Sequence, residues 1–213
     1  MSGAVSAFIG LAAVTAVVDW WAVVGLRRRV EYFAKPGVMV WLVAAALAID
    51  GADPVTQWLF VAALVFSLAG DVFLMLERER FVAGLGSFLV AHLCYAAGLA
   101  VAPTFQGARL AIGYAIVVVP AMIVGRAIAS SVRRDAPGLL APVLAYIAVI
   151  STMVAFAIST GSVLAIAGAG LFYLSDALLA WSRFVTPLEG GALAVIVTYH
   201  LGQGLLVASL LSL

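Results

Sequence analysis

Charge is what this chain has least of. Only 10% of its 213 residues are charged, against 66% that are hydrophobic. A soluble domain carries roughly 25% charged residues, so this composition cannot cover a water-facing surface. The formal net charge of +1 comes from short clusters between apolar runs, which excludes a basic face for nucleic acid. One cysteine, Cys94, excludes an internal disulfide. The signatures of soluble enzymes are missing too: there is no Walker loop, no GxSxG and no HExxH. A zinc site gathered in space from two histidines and two aspartates stays open. No ligand pair has the i, i+4 spacing that would suggest one, however, and the expectation is no metal and no cofactor.

What the chain has is apolar runs. A membrane span needs about 20 such residues, within a range of roughly 17 to 25. Runs that qualify lie near 4–26, 57–76, 81–101, 108–129, 138–158, 161–182 and 190–212. A shorter one, 36–49, is expected to borrow Lys35 and Asp50 as snorkelling flanks. The first run is longer than a signal-peptide core and its basic cluster follows it, so it reads as a retained span. Pro120 and Pro142 fall mid-run and should kink the fifth and sixth helices. The expectation is an all-α bundle of eight transmembrane helices forming one domain, residues 1–213, with its oligomeric state open.

Ten of the eleven basic residues lie after odd-numbered spans: Arg27, Arg28, Arg29, Lys35, Arg78, Arg80, Arg126, Arg133, Arg134 and Arg183. Only Arg109 lies on the other side. This bias places those loops in the cytoplasm and both termini outside, in a bacterial inner membrane. The halves also show a weak internal likeness. Lys35-Pro36-Gly37 parallels Ala136-Pro137-Gly138, GDVFLMLERERF (70–81) parallels SDALLAWSRF (175–184), and His92 parallels His200. Equal orientation of the halves would make this a parallel four-plus-four duplication.

Inside these spans stand groups that lipid does not tolerate cheaply. An intramembrane Asp or His costs a few kcal/mol and marks a functional site by default. Asp71 lies about 9 Å and Asp176 about 10 Å inside the cytoplasmic edge, and His92 and His200 roughly 16–18 Å in. Two aspartates at one level and two histidines one layer deeper should converge on one pocket open to the cytoplasmic leaflet. Helical spacing puts Ser67, Asp71, Leu74 and Arg78 on one stripe, and Tyr173, Asp176, Ala180 and Arg183 on another. Phe88, His92 and Tyr95 share a third face, and Tyr199 and Gln203 a fourth. Arg78 and Arg183 read first as topology determinants and second as headgroup ligands. Tyr95, Tyr173 and Tyr199 read as interhelical hydrogen-bonders. Asp19 is shallow enough to snorkel or to pair with Lys35. Gly84, Gly86, Gly168, Gly170, Gly202 and Gly204 read as close-packing positions.

The segments FSLAGDVFLML, FVAGLGSFLVAHLCY, LFYLSDALLAWSRF and TYHLGQ, with the early Lys35-Pro36, together resemble the lysoplasmalogenase (YhhN-like) family of eight-helix membrane proteins. The resemblance runs over about 35–203. It implies hydrolysis of the vinyl-ether bond of a lysoplasmalogen, releasing a fatty aldehyde and a glycerophospho head group. It also implies that the catalytic pair is Asp71 and Asp176. The chemistry suits the residues: two nearby carboxyls in low dielectric do not both ionise readily, so one serves as acid and the other as base. His92 or His200 would orient the water or tune the pair. Lys35, Tyr95, Tyr199, Gln203, Ser67 and Tyr173 would support it, with a single-chain phospholipid as the partner. The competing expectation is a proton-coupled transporter using the same buried Asp and His groups.

Overall fold

The computed structural model describes residues 2–76 and 80–213. Eight α-helices follow one another with no strand between them among the described residues. They are α1 (Gly3–Val24), α2 (Arg28–Leu47), α3 (Pro54–Met75), α4 (Phe81–Val101), α5 (Leu110–Asp135), α6 (Leu140–Thr160), α7 (Val163–Phe184) and α8 (Gly191–Ser209). Each is long and apolar enough to cross a membrane. The protein is an integral membrane protein built as an all-helical bundle.

Local sequence explains the boundaries. Asp53 caps α3 by accepting from the Thr56 backbone N–H at 2.8 Å, with Pro54 behind it. Those two choices satisfy one otherwise orphaned amide and remove another. Ser162 caps α7 in the same manner. Gly161, at φ 72°, ends α6 in the left-handed region where a Cβ would be strained. Arg133 and Arg134 sit in the last turn of α5, where their charge complements the helix dipole.

Two expectations about helix ends fail. The second helix does not begin at Pro36: it starts at Arg28 and carries Pro36 in its interior. Lys35 is therefore no terminal snorkel. It lies one turn beyond Glu31 and bonds it at 2.8 Å, an i, i+4 pair that holds a polar first turn helical. Pro142 likewise is not mid-helix, because α6 begins at Leu140. In a first turn its missing N–H costs nothing and no kink follows; Pro120 does lie inside α5.

Consecutive helices pair as the hairpins α1–α2, α3–α4, α5–α6 and α7–α8. Between hairpins, α2 packs on α3, α4 on α6, α6 on α7, and α8 on both α1 and α2. Helices in lipid gain little from the hydrophobic effect and associate through close packing. Gly168 and Gly202 show how: a Cβ on Gly168 would come within 2.9 Å of the Gly202 carbonyl, and one on Gly202 within 3.0 Å of the Gly168 carbonyl. A Cβ on Gly84 would meet Leu74 at 2.7 Å. Gly86, Gly170 and Gly204 have nothing within 4 Å, so they are not packing positions. Residues two apart point to different sides of a helix, and only one member of each pair meets a neighbour.

Candidate active site

The aspartates are placed by buried helix faces. On α3, the buried positions Phe60, Ala63, Leu64, Ser67, Gly70 and Asp71 form one side, so Asp71 can only point inward. It is 6% exposed. The Tyr199 hydroxyl on α8 donates to Asp71 Oδ2 at 2.7 Å and reaches Met39 Sδ at 3.4 Å. Beneath this pair lies a fully buried layer. Tyr95 donates to Gln203 Oε1 at 2.5 Å, and Gln203 Nε2 donates to the Ser67 hydroxyl at 3.0 Å. That layer ties α4, α8 and α3 together one turn below the carboxylate. A buried amide satisfied on both sides locks the register of three helices, because breaking either bond strands a polar group.

Asp176 has a different set of neighbours. The Tyr146 hydroxyl on α6 donates to Asp176 Oδ2. His92 Nε2 stands 3.4 Å from that same oxygen. The other ring nitrogen, Nδ1, lies 2.6 Å from the Phe88 carbonyl oxygen. A carbonyl only accepts, so Nδ1 carries a proton, and a neutral His92 presents a bare Nε2 to the carboxyl. At that separation Nε2 makes no hydrogen bond and is left without a partner. The His92 ring is held by Phe172, with centroids 4.4 Å apart, and by Tyr146 at 5.2 Å.

Both aspartates line one cavity of about 560 Å³, whose wall also includes Ser175, Tyr199 and Phe88. It reaches the arginine-rich end of the bundle, where Arg28, Lys35 and Arg183 line it together with Glu31. Arg183 rests its guanidinium 4.8 Å above the Phe81 ring. Ser175 spends its hydroxyl on the Val195 carbonyl.

The four buried groups do not all converge. Asp71 and Asp176 share the cavity, and His92 sits level with Asp176 rather than one layer deeper. His200 is outside the lining: its Nδ1 accepts from Trp20 Nε1–H at 3.1 Å, on the α1 side. Tyr173 is half-buried beside Asp176 on α7. Arg78 lies outside the described residues. Asp19 neither snorkels nor pairs with Lys35: it is 0% exposed, and both carboxyl oxygens lack a hydrogen-bond partner. Three residues of the site went unread in the sequence, namely Tyr146, Arg28 and Glu31. Tyr146 could have been found as the one tyrosine within the sixth apolar run, subject to the same rule applied to Tyr95 and Tyr199.

A polytopic helical membrane protein with two tyrosine-bonded carboxyls facing an internal, cation-rimmed cavity is the class that fold and site define. The chain belongs to the YhhN family, whose family model matches residues 30–210. It is similar to lysoplasmalogenase TMEM86B of Mus musculus, 32% identical over 73% of this chain and 65% of that protein. It is similar also to lysoplasmalogenase TMEM86B of Homo sapiens, 33% identical over 72% of this chain and 63% of that protein. A lysoplasmalogenase of Mycobacterium tuberculosis is 30% identical over 82% of this chain and 67% of that protein. The chain thus spans a little under two thirds of the length of the mammalian relatives. No solved structure matches it.

Proposed function

We propose that this protein is a membrane-embedded lysoplasmalogenase, hydrolysing the vinyl-ether bond of a single-chain phospholipid with Asp71 and Asp176 as its acid–base pair. The observation that carries the reading is that both carboxyls face one cavity, each with a tyrosine donor, below a rim of Arg28, Lys35 and Arg183. The rim suits a phosphate, and the relatives named above supply the activity by likeness.

In this reading Asp176 is the acid, with His92 as its neighbour at 3.4 Å, and Asp71 is the base. Asp176 delivers its proton to the chain-side carbon of the double bond, leaving an oxocarbenium ion at the carbon next to the ether oxygen. Water adds there and gives its proton to Asp71, which Lys35 on the same cavity supports as the anion. The hemiacetal then collapses. Its hydroxyl proton returns to Asp176, Asp71 hands its proton to the departing glycerol oxygen, and the products are aldehyde and glycerophospho head group. Both carboxyls end as they began, so no cofactor and no net proton is consumed. Tyr199, Tyr95, Gln203, Ser67 and Tyr173 support the pair as neighbours, and His200 acts at one remove through Tyr199. The basic end of the bundle faces the cytoplasm in this reading, placing the cavity in the cytoplasmic leaflet of a bacterial inner membrane.

Purified protein in micelles, given matched vinyl-ether, alkyl-ether and acyl lysophospholipids, should release aldehyde from the vinyl ether alone. Release of fatty acid from the acyl lipid, or no product from any, would refute the assignment.

A further inference from the structure

A second space adjoins the cavity. It is a small apolar slot between α4, α5, α6 and α7, of about 70 Å³, lined among others by Leu85, Val124, Gly125, Ile147 and Ile150. Among the described residues its polar side chains are Tyr146, Tyr173 and Asp176, with no cation in the lining. Five residues line both spaces: Leu74, Phe81, Phe88, Leu179 and Asp176. Asp176 is the one polar group among the five, while Asp71 faces the cavity alone. A charged rim at one end, an apolar slot at the other, and a carboxyl at the junction form an amphiphile-shaped space with a defined direction.

We infer that the slot takes the first stretch of the substrate's hydrocarbon chain, with Gly125 as a specificity-determining residue and the reactive bond lying beside Asp176. This rests on the lysophospholipid reading above and deepens it. Continuity with the cation-rimmed cavity fixes the occupant's chemistry: one apolar chain attached to one phosphate head. The slot is too small for a whole chain, so the rest continues toward lipid. Protonation on the chain side of the double bond is the step that needs an acid at the slot mouth, and the acid present there is Asp176. Gly125 controls the width. A Cβ there would touch Ile147 at 3.5 Å, which is ordinary contact, so alanine fits, whereas a leucine would project into the slot.

Two measurements test this, and the first needs no turnover. An alkyl-ether lysophosphocholine carrying a diazirine near the head-group end of its chain is crosslinked to the full-length protein. Label on α5 or α6 is expected; label confined to other helices overturns the inference, whatever becomes of the enzymatic reading. In the second, Gly125→Leu should raise KM for a long-chain vinyl-ether substrate by roughly tenfold or more. Binding of glycerophosphocholine, which has no chain, should stay within about twofold of wild type. Equal weakening of both, or of neither, overturns it. If Gly125→Leu does not fold, Ile150→Phe narrows the slot from α6 and is read in the same way.

Discussion

Tyr146→Phe and Tyr199→Phe make the same chemical change, one beside each aspartate, yet they should have unequal effects. Each deletes one hydroxyl that donates to a carboxyl oxygen and keeps the ring. The ring contacts therefore persist: Tyr146 against His92 at 5.2 Å, and Tyr199 against Phe172 at 5.4 Å and Phe88 at 5.9 Å. If Asp176 gives up its proton in the slow step, negative charge grows on the oxygen that Tyr146 touches. A hydrogen bond to a charged group is worth about 1.5–3 kcal/mol, and here it strengthens only as the transition state forms. Its loss should lower kcat and kcat/KM together, by roughly 10- to 150-fold. Asp71 starts as the anion and loses charge as it accepts a proton, so Tyr199 stabilises the ground state more than the transition state. Removing that hydroxyl should change kcat by about threefold at most. The assay is steady-state aldehyde release in micelles, with both variants checked for folding by size-exclusion chromatography. A larger loss in Tyr199→Phe would reverse the acid and base, and equal losses would remove the distinction altogether.

Asp71→Asn and Asp176→Asn should each abolish turnover while leaving folded protein, and the double variant should be no worse than either, as groups acting as a unit are non-additive; substantial activity in one single variant takes that residue out of the pair. Asp19→Ala should stabilise the protein by about 1–3 kcal/mol, because it deletes a buried carboxyl without a hydrogen-bond partner. Thermal unfolding in detergent checks this, and a lowered midpoint would mean that the carboxyl is satisfied after all. For orientation, a cysteine replacing Arg133 should resist impermeant maleimide in intact cells and label only after permeabilisation; labelling from outside refutes the cytoplasmic placement.

The number of helices and the inward direction of Asp71 and Asp176 were legible because both follow from length and local spacing, which lipid enforces strictly. The start of α2 was not. Apolar content falls off before Pro36, and the turn from Arg28 survives through the Glu31–Lys35 pair and a face turned to a cavity rather than to lipid. The unlike fates of the two histidines were equally hidden. His92 and His200 sit in similar surroundings in sequence, but each is decided by a distant helix: Asp176 on α7 for one, Trp20 on α1 for the other. Tyr146 reaches Asp176 from thirty residues away, and no periodicity within α6 announces that meeting. Spacing fixes which face a residue occupies, and tertiary packing chooses its partner.

The polar wall of α2 also bears on how the chain enters the membrane. It is the least apolar of the eight spans, with Arg28, Arg29, Glu31 and Lys35 in its first two to three turns. Insertion scales charge about 2.5–3.5 kcal/mol for a Lys or Arg near a span's centre, and less toward an end where the side chain can reach the interface. Lys35, eight residues in, is intermediate between these limits. A lone α2 is thus a weak stop-transfer segment. Its hairpin partner α1, with no basic residue and one buried acid, is a strong one. α2 is therefore expected to insert together with its predecessor, and the cavity that Arg28 and Lys35 rim is completed by residues of α3, α7 and α8. Assembly of the bundle and assembly of the polar cavity are, for this chain, one event.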